Sequence, residues 1–218
     1  MSDPTIVTVG EADGIDPDTL TEIRDQAAAW AAERLPPLFA DAAVTVPEVA
    51  DWVRHLVAGA LAGRGVGHPV VRSGPSLLLT GKVGRGKTYQ AFGALRALSV
   101  SGVHCRWLAV GEADMFATLR PRNGHDTESE FEALAGAGVL LLDDLGAAKR
   151  TEWTEEVVCR LINHRNEWRR ATLVTTNRGG ERDPLSAVVG ERVASRLAQM
   201  CTPVAVTGPD RRRDRGGW

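Results

Sequence analysis

Lysine is almost missing: Lys82, Lys87 and Lys149 are the only three in 218 residues, and arginine makes up the rest of the 26 basic side chains. A lysine at the fixed position of a motif is then hard to assign to chance. The arginine excess, with abundant alanine and glycine, reads as coding bias. Cysteine is just as scarce. Cys105, Cys159 and Cys201 are odd in number, widely spaced and free of any C-x-x-C pair. That excludes a disulfide framework and argues against a zinc site, so they read as reduced thiols of a cytoplasmic protein. No uninterrupted apolar run reaches membrane-spanning length, and Met1-Ser2-Asp3-Pro4 does not open a signal peptide, so no membrane partner is expected. There is no internal repeat.

What is present is ordinary for a globular chain: 43% hydrophobic and 25% charged residues. The length suits one domain plus an extension, or one large α/β domain. The net charge of −2 is unevenly spread. Asp3, Glu11, Asp13, Asp16, Asp18, Glu22 and Asp25 face only Arg24 at the start, whereas Arg211, Arg212, Arg213 and Arg215 crowd the end. Such a basic tail either is solvated surface or touches phosphates.

Residues 1–16 are acidic with few large apolar side chains, which predicts disorder. Asp16-Pro17-Asp18 then starts a helical stretch through Trp30 to Arg34, stopped by Pro36-Pro37. Val49, Trp52, Val53, Leu56, Val57 and Leu61 recur at helical spacing after Pro47. The loop Gly63 to Pro69 marks a boundary, giving an N-terminal extension over 1–65 and a core over 66–218. In the core, short apolar runs at 76–80, 103–109, 139–142, 172–175 and 203–206 alternate with helix-period segments near 88–100, 112–120, 129–135, 153–168 and 184–200. This alternation predicts an α/β fold with a parallel sheet flanked by helices, preceded by a short helical extension. Ligands of such sheets lie at the carboxyl ends of the strands.

Gly81-Lys82-Val83-Gly84-Arg85-Gly86-Lys87-Thr88 matches the phosphate-binding loop G-x-x-x-x-G-K-[ST] at every fixed position, between a strand and a helix. Gly81, Gly84 and Gly86 allow the tight turn that aims successive N–H groups at phosphate oxygens. Lys87 is placed to reach the β- and γ-phosphates of a nucleoside triphosphate, and Thr88 to ligate Mg²⁺. Val139 to Leu142 is an apolar strand that delivers Asp143 and Asp144 to the same edge. Asp143 is the expected metal residue and Asp144 the group that polarises water. Leu173 to Asn177 is a further strand ending in polar groups, where an amide or hydroxyl can sit near the γ-phosphate; the alternative is a turn residue capping the strand. Arg192 and Arg196, four apart, share a helix face. They are either solvated or able to stabilise charge in phosphoryl transfer.

In this order the motifs resemble the DnaC/IstB helicase-loader family of AAA+ ATPases. The resemblance runs from Leu35-Pro36-Pro37-Leu38-Phe39 through Lys87-Thr88-Tyr89, Leu141 to Gly146, Thr151-Glu152-Trp153, Arg165, Thr175-Thr176-Asn177 and Glu191 to Leu197, to Gly208-Pro209-Asp210. It implies an AAA+ core, ATP and Mg²⁺ as cofactors, and ATPase activity. By resemblance, Lys87 and Thr88 are the Walker A pair, Asp143 and Asp144 the Walker B pair, and Asn177 sensor 1. Arg192 and Arg196 fall in the arginine-finger segment that acts on a neighbouring subunit, Arg196 being the first choice. Arg212 matches a late family arginine.

The same resemblance implies self-association through ATPase interfaces, single-stranded DNA inside the assembly, and a replicative DNA helicase as partner. The extension here is short and has no cysteine/histidine cluster of the kind a zinc-bearing loader extension carries. Arg120-Pro121-Arg122-Asn123-Gly124-His125 joins two helical segments, where loaders can contact DNA; without an aromatic it offers phosphate contact at most, or is a solvated loop. Two other functions fit the same residues: an IstB-like helper of a transposase, and a nucleotide-gated binding module with little hydrolysis.

Overall fold

Asp16 caps the first helix, α1 (Pro17–Ala32), its carboxylate accepting the Thr19 N–H at 3.0 Å, and Pro17 occupies the first turn where no N–H is needed. Pro47 opens α2 (Pro47–Ala62) in the same way. The computed structural model describes residues 15–63, 68–178 and 184–209. The expected disorder at the start, most of the boundary loop, Asp210 and the terminal arginines including Arg212 lie outside the described residues.

The chain divides into two compact units. One joins the described residues up to Gly74 with Tyr89–Arg106, which carries most of α3 (Lys87–Ser99). Its core is the apolar stripe of α2, with Val49, Trp52, Val53 and Leu56 buried. Gln90 ties α3 to the chain entering α2: its Oε1 accepts N–H bonds from Thr45 (2.8 Å) and Val46 (3.0 Å), and its Nε2 donates to Thr45 Oγ1. Phe39 and Phe92 stack with ring centroids 4.5 Å apart.

The other unit, residues 75–88 and 107 onward, holds the sheet. Its strands are β1 (Ser76–Thr80), β2 (Trp107–Gly111), β3 (Val139–Asp143), β4 (Ala171–Thr176) and β5 (Cys201–Ala205). All pair in parallel in the order β2-β3-β4-β1-β5. The expected parallel sheet flanked by helices is the fold observed. Helices α4 (Glu112–Leu119), α5 (Thr127–Gly136), α6 (Glu152–Glu167), α7 (Ser186–Val189) and α8 (Glu191–Met200) complete the unit. Leu140, Leu142 and Val174 of the central strands pack with Met115, Phe131 and Ile162 in one buried cluster. Thr151 starts α6 through a reciprocal capping box with Thr154.

Several boundaries differ from expectation, and the fifth strand is Cys201–Ala205 where 203–206 was expected. The second strand begins at Trp107, not Val103, because His104 is held in an isolated bridge to Val70. The helix expected over 184–200 is two helices, broken at Gly190 by its φ of 87°.

Candidate functional site

β1, β3 and β4 lie side by side, so their carboxyl ends bring three separated segments to one place. The loop after β1 turns through Gly84 (φ 83°) and Gly86 (φ 89°), left-handed conformations that a side chain resists. It delivers Lys87, only 6% exposed, to the start of α3. Lys87 Nζ donates to Gly81 O (2.8 Å), Lys82 O (3.0 Å) and Asn177 Oδ1 (2.7 Å). Asn177 follows β4, and its other end donates to Asp144 Oδ1. The amide is thereby oriented, oxygen to the lysine and nitrogen to the carboxylate.

Asp144 follows β3 in a left-handed conformation, φ 57°. Its backbone N–H donates to Thr175 Oγ1 at 2.9 Å, and the same hydroxyl donates to Asp143 Oδ1 at 2.6 Å. Asp143 in turn accepts from Thr88 Oγ1, at 3.0 Å to Oδ1 and 3.3 Å to Oδ2. Lys87 and Thr88 being neighbours, the circuit closes: Lys87, Asn177, Asp144, Thr175, Asp143 and Thr88 form one hydrogen-bonded ring. Five of these six are the residues singled out in the sequence.

A cavity of about 430 Å³ opens beside this ring, lined by Lys82, Val83, Asp144, Gly146, Asn177 and Arg178 among others. Lys82 and Val83 bring one edge of the loop to this cavity, and the loop N–H groups, the buried Lys87 ammonium and the helix start beside it are complementary to phosphate. Thr88 and Asp143 present adjacent oxygen donors of the type a hard divalent cation takes.

No family model matches the chain, and no curated protein matches its sequence. Solved structures do match. A DnaC helicase loader superposes with a TM-score of 0.62 at 20% identity, covering 79% of this chain and 100% of that one. DnaI superposes with a TM-score of 0.63 at 21% identity, covering 81% and 94%. AMPPCP-bound DnaA from Aquifex aeolicus gives 0.56 at 18% identity, covering 76% of this chain and 48% of that one. The chain has the AAA+ fold of the DnaC-type helicase loaders.

Arg192 and Arg196 of α8 do not line the cavity beside the ring. Arg192 borders a separate cleft of about 700 Å³ along α6, with Glu152, Glu156, Asn163 and Glu167. Arg196 is exposed and donates to Gln199 Oε1 at 3.0 Å. The α4–α5 connection, which has no aromatic of its own, finds one on α6: the Arg120 guanidinium lies 5.5 Å from the centre of the Trp153 ring. No helix among the described residues is long and apolar enough to cross a membrane.

Three residues of the site escaped the sequence reading as individuals. Thr175 stood there only as part of a polar strand end. Arg178 lines the cavity directly after Asn177. Glu112, just past β2, is 5% exposed, and its Oε2 accepts the N–H of Gly146 (3.1 Å) and of Ala148 (2.8 Å). Burial pushes its carboxyl upward against the pull of these bonds, and the Asp144 charge adds to the push. Its place after a strand was the available signal, since polar residues past the carboxyl ends of a parallel sheet face the ligand edge.

Proposed function

We propose that this protein is an ATP-dependent loader of a replicative DNA helicase, working as a nucleotide-dependent assembly on single-stranded DNA. The observation that carries the reading is the closed Lys87–Asn177–Asp144–Thr175–Asp143–Thr88 circuit at the phosphate loop, on a fold shared with DnaC and DnaI.

In this reading the amides of the loop from Gly81 to Gly86 and the Lys87 ammonium bind the β- and γ-phosphates of ATP. Thr88 and Asp143 hold Mg²⁺, which neutralises charge on the phosphate oxygens. Asp144, oriented by Asn177, takes up a proton from the attacking water or polarises it. Each active site is completed by Arg196 or Arg192 of an adjoining copy, so hydrolysis depends on assembly. Arg120, Arg122 and the terminal arginines contact DNA phosphates.

A nucleotide-gated module with slow hydrolysis is the second reading. It is favoured by the Asp144 carboxylate being already engaged by Asn177 and one methylene shorter than a glutamate. Turnover that stays negligible at high protein concentration with DNA and Mg²⁺ is its signature. The loader reading is tested by native mass spectrometry of the protein with the replicative helicase of its source, ATP and Mg²⁺. A defined complex with the helicase hexamer is expected. Absence of a complex while ATP still binds turns the assignment toward a transposase or another partner.

A further inference from the structure

The turn from Asp144 to Ala148 has every backbone N–H accounted for, and the acceptors are mostly borrowed. Asp144 N–H goes to Thr175 Oγ1 and Leu145 N–H to Thr175 O, both on β4. Ala147 N–H closes the turn on Asp144 O. Gly146 and Ala148 have Glu112, on the opposite side of β3, as their acceptor. The turn is thus held from two flanks, by β4 through Thr175 and by the β2–α4 junction through Glu112. Parallel pairing sets Gly111 opposite Asp143, which puts the first residue of α4 level with Asp144.

A buried carboxylate is an expensive way to satisfy two N–H groups. Charge-assisted bonds are, however, shorter and about twice as strong as neutral ones. They suit a turn whose first residue sits at φ 57°, a left-handed conformation uncommon for residues other than glycine, although aspartate is among those that tolerate it best.

We infer that Glu112 is a positioning residue for Asp144: its carboxylate clamps the 144–148 turn through Gly146 and Ala148, and so holds the Asp144 side chain where Asn177 can engage it. The inference rests on Asp144 being the group that acts on water. Glu112 acts through the main chain of the turn. It fixes the backbone from which Asp144 projects, and small misplacements of a reacting group lower rates steeply.

The test uses the full chain with ATP, Mg²⁺ and single-stranded DNA. E112A leaves both N–H groups without an acceptor, whereas E112Q keeps one amide oxygen able to accept both. Expected are a kcat reduced about ten- to a hundredfold in E112A, a smaller loss in E112Q, and a KM for ATP within about twofold of wild type in each. Amide exchange at Gly146 and Ala148 should rise in E112A whether or not ATP is turned over. A cycle with D144N separates positioning from general loosening: E112Q should cost nothing further once Asp144 is gone.

Undiminished kcat in E112A, unchanged amide protection, or losses that multiply in the double variant would overturn the inference. Wild-type turnover by D144N alone strikes instead at the role given to Asp144. A wild-type protein without turnover removes both roles, leaving the exchange result to report only on the turn.

Discussion

Thr175 donates its hydroxyl to Asp143 Oδ1 at 2.6 Å while accepting the backbone N–H of Asp144, so one side chain from β4 sets both consecutive aspartates. Thr175 is 1% exposed. Thr175→Val keeps the shape but removes one of the two hydroxyl donors to the Asp143 carboxylate and leaves the Asp144 N–H without its acceptor. A loss of about 1–3 kcal/mol in denaturant unfolding is expected, with Thr175→Ser near wild type. Turnover should fall further than nucleotide affinity, because Asp143 and Asp144, the residues proposed to act on metal and water, lose their shared anchor while the loop that carries Lys87 keeps its own.

Lys87→Ala removes the buried ammonium that bonds the Gly81 and Lys82 carbonyls of the phosphate loop. Fluorescent ATP analogue titration should show affinity lower by about ten- to a hundredfold, the equivalent of one or two charge-assisted hydrogen bonds. Unchanged affinity would remove the loop from the nucleotide site altogether.

Arg165 is wholly buried, and among the described residues its hydrogen bonds run to carbonyls and a hydroxyl, not to a carboxylate. Its guanidinium donates to Thr172 Oγ1 (2.9 Å), to the carbonyls of Leu134 (2.9 Å), Ala135 (3.1 Å) and Ala137 (3.0 Å), and to Ala171 O (2.7 Å). Three of these carbonyls gather at the end of α5, where the helix dipole favours a cation. Burial, with Arg170 adding to it, pushes the group down to about 9, which leaves it charged at neutral pH. Arg165→Met should destabilise the protein by about 3–5 kcal/mol, because buried carbonyls lose their donor. Arg165→Lys should not restore it, since a point ammonium cannot span the fork's five acceptors. Thermal or urea unfolding of the two variants decides this.

Gly190 stands at the start of α8 with φ 87°, and a Cβ there would strike the Glu155 carboxylate, itself paired with Arg150 at 2.6 Å. Gly190→Ala is expected to cost about 1–3 kcal/mol of stability. If Arg192 and Arg196 act on a neighbouring copy, the same change lowers assembly-dependent turnover while ATP binding holds. An ATPase titration against protein concentration reads the difference.

The phosphate loop and Asp143 were legible in the sequence because their chemistry demands fixed residue types at fixed spacing. β3 was legible because a strand buried on both faces is almost wholly apolar, and β4 because β-branched Val and Thr dominate it. Gly190 was not, since the apolar pattern on either side of it continues at helical period and only the backbone dihedral reveals the break. Glu112 and Thr175 were obscured for a different reason. Their partners are backbone N–H groups and, for Thr175, a carboxylate, all more than thirty positions away, and pairing with a main chain leaves no mark on residue type. Arg165 stood out by resemblance alone, its acceptors likewise being carbonyls.

β5 is bonded to β1 only, which makes it an open margin of the sheet among the described strands. Pro203 lies in its middle, in register with Leu78. Proline is tolerated in a sheet only where one side lacks a neighbour, and it supplies no N–H to a newcomer. Strand-on-strand growth across this margin, the usual route from an open parallel sheet to aggregates, is therefore discouraged. The assembly proposed above is then one that joins copies through side chains and not through a shared sheet.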